Sequence, residues 1–225
     1  MDYTYIEILI EDISGASLVE EIMKKFIRDK GDVAYRIHSF KGIGRIPLNT
    51  NRISDIKTGR LLNDLPMYLK GMDTSLKSVP GRTAIFVIID CDNEDCVQLK
   101  QRMVSMYQSL AIEIQVFFCI AIEEMEAWLL GDRDALCKAY PDAKRSLLQK
   151  YKQDSIIGTW EFLADVIYKG GSAGLKRDFS SYYEIGGFKI ECAKKIGQYM
   201  DLHNNCSPSF HYFMKKLNDF IKASI

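Results

Sequence analysis

The stretch "IFVIIDCDNEDC", residues 85–96, constrains this chain more than any other. Five apolar residues, Ile85 to Ile89, form a run too short for a membrane span and suited to a strand covered on both faces, as in a parallel sheet flanked by helices. The run ends abruptly in Asp90, Cys91, Asp92, Asn93, Glu94 and Asp95. A core strand that stops on a block of acid needs a reason, because carboxylates crowded together raise one another's proton affinity.

The surrounding pattern supplies the fold. Tyr5 to Ile10 is a β-prone run, followed by the turn-like "EDISGAS" and a helix through "LVEEIMKKFIRDKG", in which Leu18, Ile22 and Phe26 share a face and Gly31 marks the stop. "VAYRIHSF" reads as a second strand and "KGIGRIPLN" as a basic, glycine-bearing loop. A helix through "LLNDLPMYLKGM" contains Pro66. After the buried strand come a helix from about Val97 to Leu110, a strand in "IEIQVFFCIAI" and a helix in "EEMEAWLLGD". Strands alternating with helices predict an α/β fold with a mainly parallel central sheet. Beyond it, "RDALCKAYPDAKRSLLQKY", "TWEFLADVIYK", "ECAKKIGQYM" and "FHYFMKKLNDFIKAS" read as short helices joined by loops such as "KGGSAG". The expected organisation is an α/β domain over residues 1–135 and a helical C-terminal subdomain over 136–225, packed on it. With 225 residues, 47% of them hydrophobic, the chain is long enough for that core.

In open α/β sheets, ligands bind outside the carboxyl ends of the strands. Three strands here end in acid: Glu11 and Asp12 after the first, Asp90 and Asp92 after the buried one, and Glu123, Glu124 and Glu126 after "FFCIAI". Asp90 and Asp92 point the same way if the chain stays extended, and Glu123 and Glu126, three apart, share one face of a helix. Glu11, Asp90, Asp92, Glu123 and Glu126 are therefore the expected ligands of a hard divalent cation, Mg²⁺ or Mn²⁺, which favours an all-oxygen shell. The plainer alternative is a set of solvated turns, with Asp or Asn capping the next helix and Glu123 and Glu124 beside a helix dipole.

Thirty basic and thirty acidic residues cancel, so any nucleic-acid contact must come from a local patch. Lys41 and Arg45 in the first glycine loop, and Lys169, Ser172, Lys176 and Arg177 around the second, are the candidate phosphate contacts. Each loop serves equally as a plain connector. The start "MDYTYIEILIED" is unlike a secretory signal, and the cytoplasm is the expected compartment. Six cysteines without paired spacing are expected to be free thiols, and three histidines form no ligand pattern. His38 is expected to be structural, and Trp128 and Trp160 to be core anchors.

Glu11 in "ILIEDISG", Asp-x-Asp in "IIDCDN" and the later "EEMEAWLLGD" together resemble the Toprim class, the catalytic domain of topoisomerases, primases and overcoming-lysogenization-defect nucleases. The closer resemblance is to a bacterial family of unknown function placed in that class, with a Glu-Ala-Trp-Leu-Leu signature and later segments similar to "DSIIGTWEFLADVIYKGGSAGLK" and "SPSF". The resemblance implies that Glu11 is a metal ligand or general acid/base, that Asp90 and Asp92 are the metal pair, and that Glu126 is the signature Glu. The first motif departs from the commoner Glu-Gly with a following Thr-Glu pair: after Asp12 no acid occurs until Glu20.

The expected activity is Mg²⁺-dependent hydrolysis of phosphodiesters in nucleic acid, in bacterial defence, with Glu11, Asp90, Asp92 and Glu126 as catalytic residues. The alternatives are a non-catalytic Toprim-like module that binds metal and nucleic acid or a nucleotide, and an acidic surface that docks a partner subunit.

Overall fold

The computed structural model describes residues 3–47, 57–155 and 158–222. Leu48 and Asn49 of the first basic loop and Ile156 and Ile157 of "DSIIG" lie outside the described residues.

Four strands form one parallel sheet in the order β2-β1-β3-β4: β1 Thr4–Ile10, β2 Val33–Ser39, β3 Arg82–Asp90 and β4 Gln115–Ala121. The helices between them are α1 Ile13–Ile27, α2 Leu61–Leu76 and α3 Cys96–Ser109. After β4 the described chain is helical, in α4 Glu126–Leu130, α5 Arg133–Ala139, α6 Arg145–Leu148, α7 Thr159–Ile167, α8 Gly171–Asp178, α9 Tyr182–Gly197 and α10 Pro208–Lys222. None of the helices is long and apolar enough to cross a membrane, among the described residues.

Side-chain alternation sorts the helices onto two faces. Leu9, Ile85, Val87, Ile89, Phe118 and Ile120 meet Leu61, Leu65 and Leu69 of α2 and Leu99 and Met103 of α3. Ile6, Ile8, Ile10, Ala84, Phe86 and Ile88 point the other way, to α1 and the C-terminal helices. Both faces of β3 are thus covered, which is why its apolar run is continuous and not alternating. The expected boundary between residues 135 and 136 falls inside α5, and Trp128, Leu163, Ile196, Phe210 and Phe213 share one core with β1 and β3.

Two expectations about local structure are corrected. The "EDISGAS" turn is already helical from Ile13, because the Asp12 carboxylate caps α1: Oδ1 accepts from Gly15 N at 2.7 Å and Oδ2 from Ser14 Oγ at 2.6 Å. "KGGSAG" is not all loop, since α8 begins at Gly171, with Gly170 and Gly171 both at positive φ. Pro66 lies inside α2 without ending it. The cysteines are free, and His38 on the edge strand β2 pairs with Glu7 at 2.7 Å. Both tryptophans are buried, Trp128 donating from Nε1 to Ser209 Oγ at 2.9 Å.

Phe213 of α10 joins the helical face to the sheet, stacked on Trp128 at 5.3 Å and edge-on to Phe86 at 6.1 Å. Phe213→Ala is expected to lower unfolding free energy by about 3–5 kcal/mol, measured by urea denaturation. A loss below about 1 kcal/mol would mean that α10 does not belong to this core.

Candidate functional site

The sheet order reverses between β1 and β3: β2 lies on one side of β1, and the chain then returns to the other side for β3 and β4. The crevice outside the carboxyl ends of those two strands is the topological switch point, where such sheets bind ligands. Glu11 follows β1 immediately and Asp90 is the last residue of β3. The Asp90 backbone N–H donates to Glu11 Oε2 at 3.2 Å.

Alternation decides where Asp90 points. It continues the series Ala84, Phe86, Ile88 toward the helical face, and the residue is half-buried there. Oδ1 is sealed from solvent and has no hydrogen-bond partner. Burial first, and then the charges of Glu11, Glu126, Asp12 and Glu124, push the Asp90 carboxyl far above the usual range. The Glu11 carboxyl is raised to about 7, chiefly by burial, with Asp92 and Asp12 adding to the rise and the amides of Asp90 and Ile43 opposing it.

Asp92 does not continue the strand. Its φ is +47°, and its N–H donates to the Glu123 carbonyl at 2.8 Å, so the chain turns there. The extended Asp-x-Asp geometry expected from sequence is corrected accordingly: Asp92 sits exposed on a turn, where its charge is felt by Glu11 and that of Glu124 by it. Loss of solvation and then Glu124 raise its carboxyl, while Lys189 pulls it down.

The shared helical face expected for Glu123 and Glu126 is also corrected. The helix α4 begins only at Glu126, and Glu123 stands before it with φ +67°. The buried Glu123 carboxylate lies against Tyr151, whose phenol is raised by burial and by that charge. Glu124 takes the inward place, adding its charge to those of Asp90, Asp92 and Glu126. One of its oxygens is already engaged, accepting from Thr159 Oγ1 at 2.8 Å and from Trp160 N at 2.7 Å at the start of α7.

Lys189 is the functional group that the motif reading missed. It lies one turn before Cys192 and Ala193, on the buried face of α9, and its Nζ reaches Glu126 Oε1 at 3.3 Å. Burial alone would lower its proton affinity, but Glu126, Glu124 and Asp12 outweigh that, and the ammonium is held charged. Burial pushes Glu126 up, and Lys189 draws it back. The signal was present in "IGGFKIECAKKIG": a lysine on the apolar stripe of an amphipathic helix, where a charge needs a partner.

The basic loops differ in placement. The Gly42 N–H donates to the Glu11 carbonyl at 3.0 Å, which pins the first loop beside the site, and Lys41 and Arg45 are exposed there. Positive φ at Gly42 and Gly44 allows this tight course. In the second loop the Ser172 N–H donates to Asp165 Oδ1 at 2.6 Å, Lys176 pairs with Glu161 at 3.2 Å and Arg177 with Asp178 at 3.0 Å. Lys169 precedes the two left-handed glycines. Ser172, Lys176 and Arg177 thus already meet carboxylates of the chain itself.

Among the described residues, no three His, Cys, Asp or Glu side chains form a ready metal-binding set. What the strand ends do bring together is Glu11 and Asp90, joined through the Asp90 N–H, with one Asp90 carboxylate oxygen buried and without a hydrogen-bond partner. A cavity of about 500 Å³ lies elsewhere, among Val97, Val104, Ile120, Ile122 and Tyr212, with Lys100 bound to the Tyr212 hydroxyl at 2.7 Å. Its apolar lining has no means of gathering a cation, so the strand-end carboxylates are the stronger site.

A sequence profile spanning residues 10–218 decides the family. The chain belongs to the domain of unknown function family DUF4276. No curated protein and no solved structure matches it. The parallel sheet of this DUF4276 chain is compatible with a Toprim-like fold.

Without metal, the raised Glu11 carboxyl has a defined pH signature. The folded state keeps this proton up to about pH 7, whereas an unfolded carboxyl loses it near its ordinary value of about 4.3. Stability is therefore expected to fall as pH rises from about 4.3 to about 7, by at most about 3 kcal/mol. Glu11→Gln should flatten that part of the profile in metal-free urea titrations. A parent profile that rises through this window, or an unchanged variant, would contradict the assignment.

Proposed function

We propose that this DUF4276 chain is a divalent-metal-dependent phosphodiester hydrolase acting on nucleic acid. The observation that carries the proposal is the Asp90 carboxylate oxygen, buried without a partner, next to Glu11 at the switch point of a parallel sheet. Burying a charged oxygen with nothing to offset it is strongly unfavourable, and a cation is the simplest offset.

Glu11, Asp90 and Asp92 would hold Mg²⁺ or Mn²⁺, and they are the residues on which turnover should depend. When bound, the ion supplies polarisation of a phosphoryl oxygen and a water of lowered pKa. Asp90 and Glu11 are fixed by the ends of adjacent strands, so their oxygens are positioned by the sheet itself. Asp92, on a turn at the solvent edge, completes the set from the open side. Lys41 and Arg45 stand next to Glu11 with no carboxylate of their own loop beside them in sequence, which suits them to the flanking phosphates of a polyanion. The helical segment closes the opposite side through Glu126 and Lys189 and restricts water there.

Asp90→Asn and Glu11→Gln are expected to fold and to lose about a hundredfold or more in cleavage rate. The assay incubates parent and variants with single-stranded DNA, duplex DNA and RNA, in Mg²⁺ and separately in Mn²⁺. Cleavage by the parent alone is the expected result. Equal cleavage by all three preparations, or none by the parent on any substrate, would overturn the assignment.

A further inference from the structure

Helix α3 carries two apolar stripes. Leu99, Met103 and Met106 are buried against the sheet. Val97 and Val104, seven residues apart, form a second stripe with Lys100 between them, and Val97 is left 60% exposed. The helix packs on one face of the sheet and α10 on the other. Because β4 is the edge strand, nothing separates the two layers beyond it, and they leave the cavity of about 500 Å³ that Val97, Lys100 and Val104 share with Ile120, Ile122 and Tyr212. That volume falls in the range of about 300–1,000 Å³ usual for small-molecule sites, which combine an apolar lining with a few placed polar groups.

The polar groups here are specific. No Asp or Glu lines the cavity, and Lys100 is the one charged residue on its wall, among the described residues. Lys100 Nζ donates to the Tyr212 hydroxyl at 2.7 Å and lies 4.1 Å from the centroid of its ring. An ammonium has three hydrogens and a phenol one, so two ammonium hydrogens and the phenol hydrogen are left for an acceptor. Two adjacent donors, one of them charged, suit the two oxygens of a single carboxylate. We propose that this cavity binds a small amphipathic carboxylate, its apolar body between α3 and α10 and its carboxylate on Lys100 and Tyr212. The site is separate from the strand-end acids and does not depend on the metal function. Its apolar lining offers affinity without direction, and the lysine and phenol fix which end of the ligand enters.

Octanoate is the probe, and 1-octanol is its uncharged counterpart of equal chain length. Both are titrated into the full chain and followed by ligand-observed nuclear magnetic resonance. Octanoate is expected to bind at one site per chain. Lys100→Met should weaken octanoate by about tenfold or more, because a charge-assisted hydrogen bond is lost, and leave octanol within about threefold. Tyr212→Phe should act in the same direction with a smaller loss. Location is read separately: saturating octanoate should slow alkylation of Cys96, a cavity-lining thiol, by iodoacetamide, with the exposed Cys206 as the internal control in peptide mass spectrometry. No octanoate binding by the parent, equal losses of octanoate and octanol in Lys100→Met, or a Cys96 rate unchanged by octanoate would each overturn the proposal. So would a parent that sediments as a dimer and that Val97→Glu converts to a monomer, since the cavity would then be filled by a second copy of the chain.

Discussion

The buried carboxylate of Asp90 is the constraint on which the rest of the site depends. Strand β3 carries it to the helical face of the sheet by the same alternation that buries Ala84, Phe86 and Ile88. At that point the hydrophobic logic of the strand fails, and a carboxyl group sits where an isoleucine would be expected. The neighbouring strand ends bring further acid, so each carboxylate makes the next harder to ionise. On the metal function proposed above, a bound cation would relieve that repulsion.

The helical C-terminal half takes part in this balance. Helix α9 lies along α1, where Lys25 donates to the carbonyls of Gly197 and Met200 at 2.7 Å each, and this packing delivers Lys189 to Glu126. Glu124 in turn starts α7 by accepting from Thr159 and Trp160. Two of the three carboxylates after β4 thus connect the strand ends to the helices. Fold and site share these residues, and a substitution at Glu124 would disturb both.

Much of this was legible in the sequence, and the exceptions have physical causes. The unbroken apolar run of β3 and the acid after it located Asp90, because a doubly covered strand leaves no other pattern. Glu11 was equally plain at the end of β1. The orientation of Asp92 was not, since its left-handed backbone is set by a hydrogen bond to the Glu123 carbonyl on a loop more than thirty residues away. The exchange of roles between Glu123 and Glu124 followed from reading helix α4 too early, when its first turn begins only at Glu126. Asp12 was assigned to a turn although its spacing to Gly15 suits a helix cap. Lys189 was hidden by its long flexible stem, which lets a charge occupy a buried stripe only when tertiary structure supplies an acid. The second glycine loop looked like a phosphate cradle because the sequence does not show that Asp165 fills it.

The most direct test of the central claim, that the Asp90 carboxylate is built to meet a cation, is the melting temperature with and without Mn²⁺. A ligand that binds only the folded state stabilises it by about 2.7 kcal/mol at a hundred times its dissociation constant. The parent should therefore melt several degrees higher in saturating Mn²⁺. Asp90→Asn should melt higher than the parent without metal, because the repulsion is relieved, and should gain nothing from Mn²⁺. A parent indifferent to Mn²⁺ and Mg²⁺, or an Asp90→Asn variant that gains as much as the parent, would contradict the account.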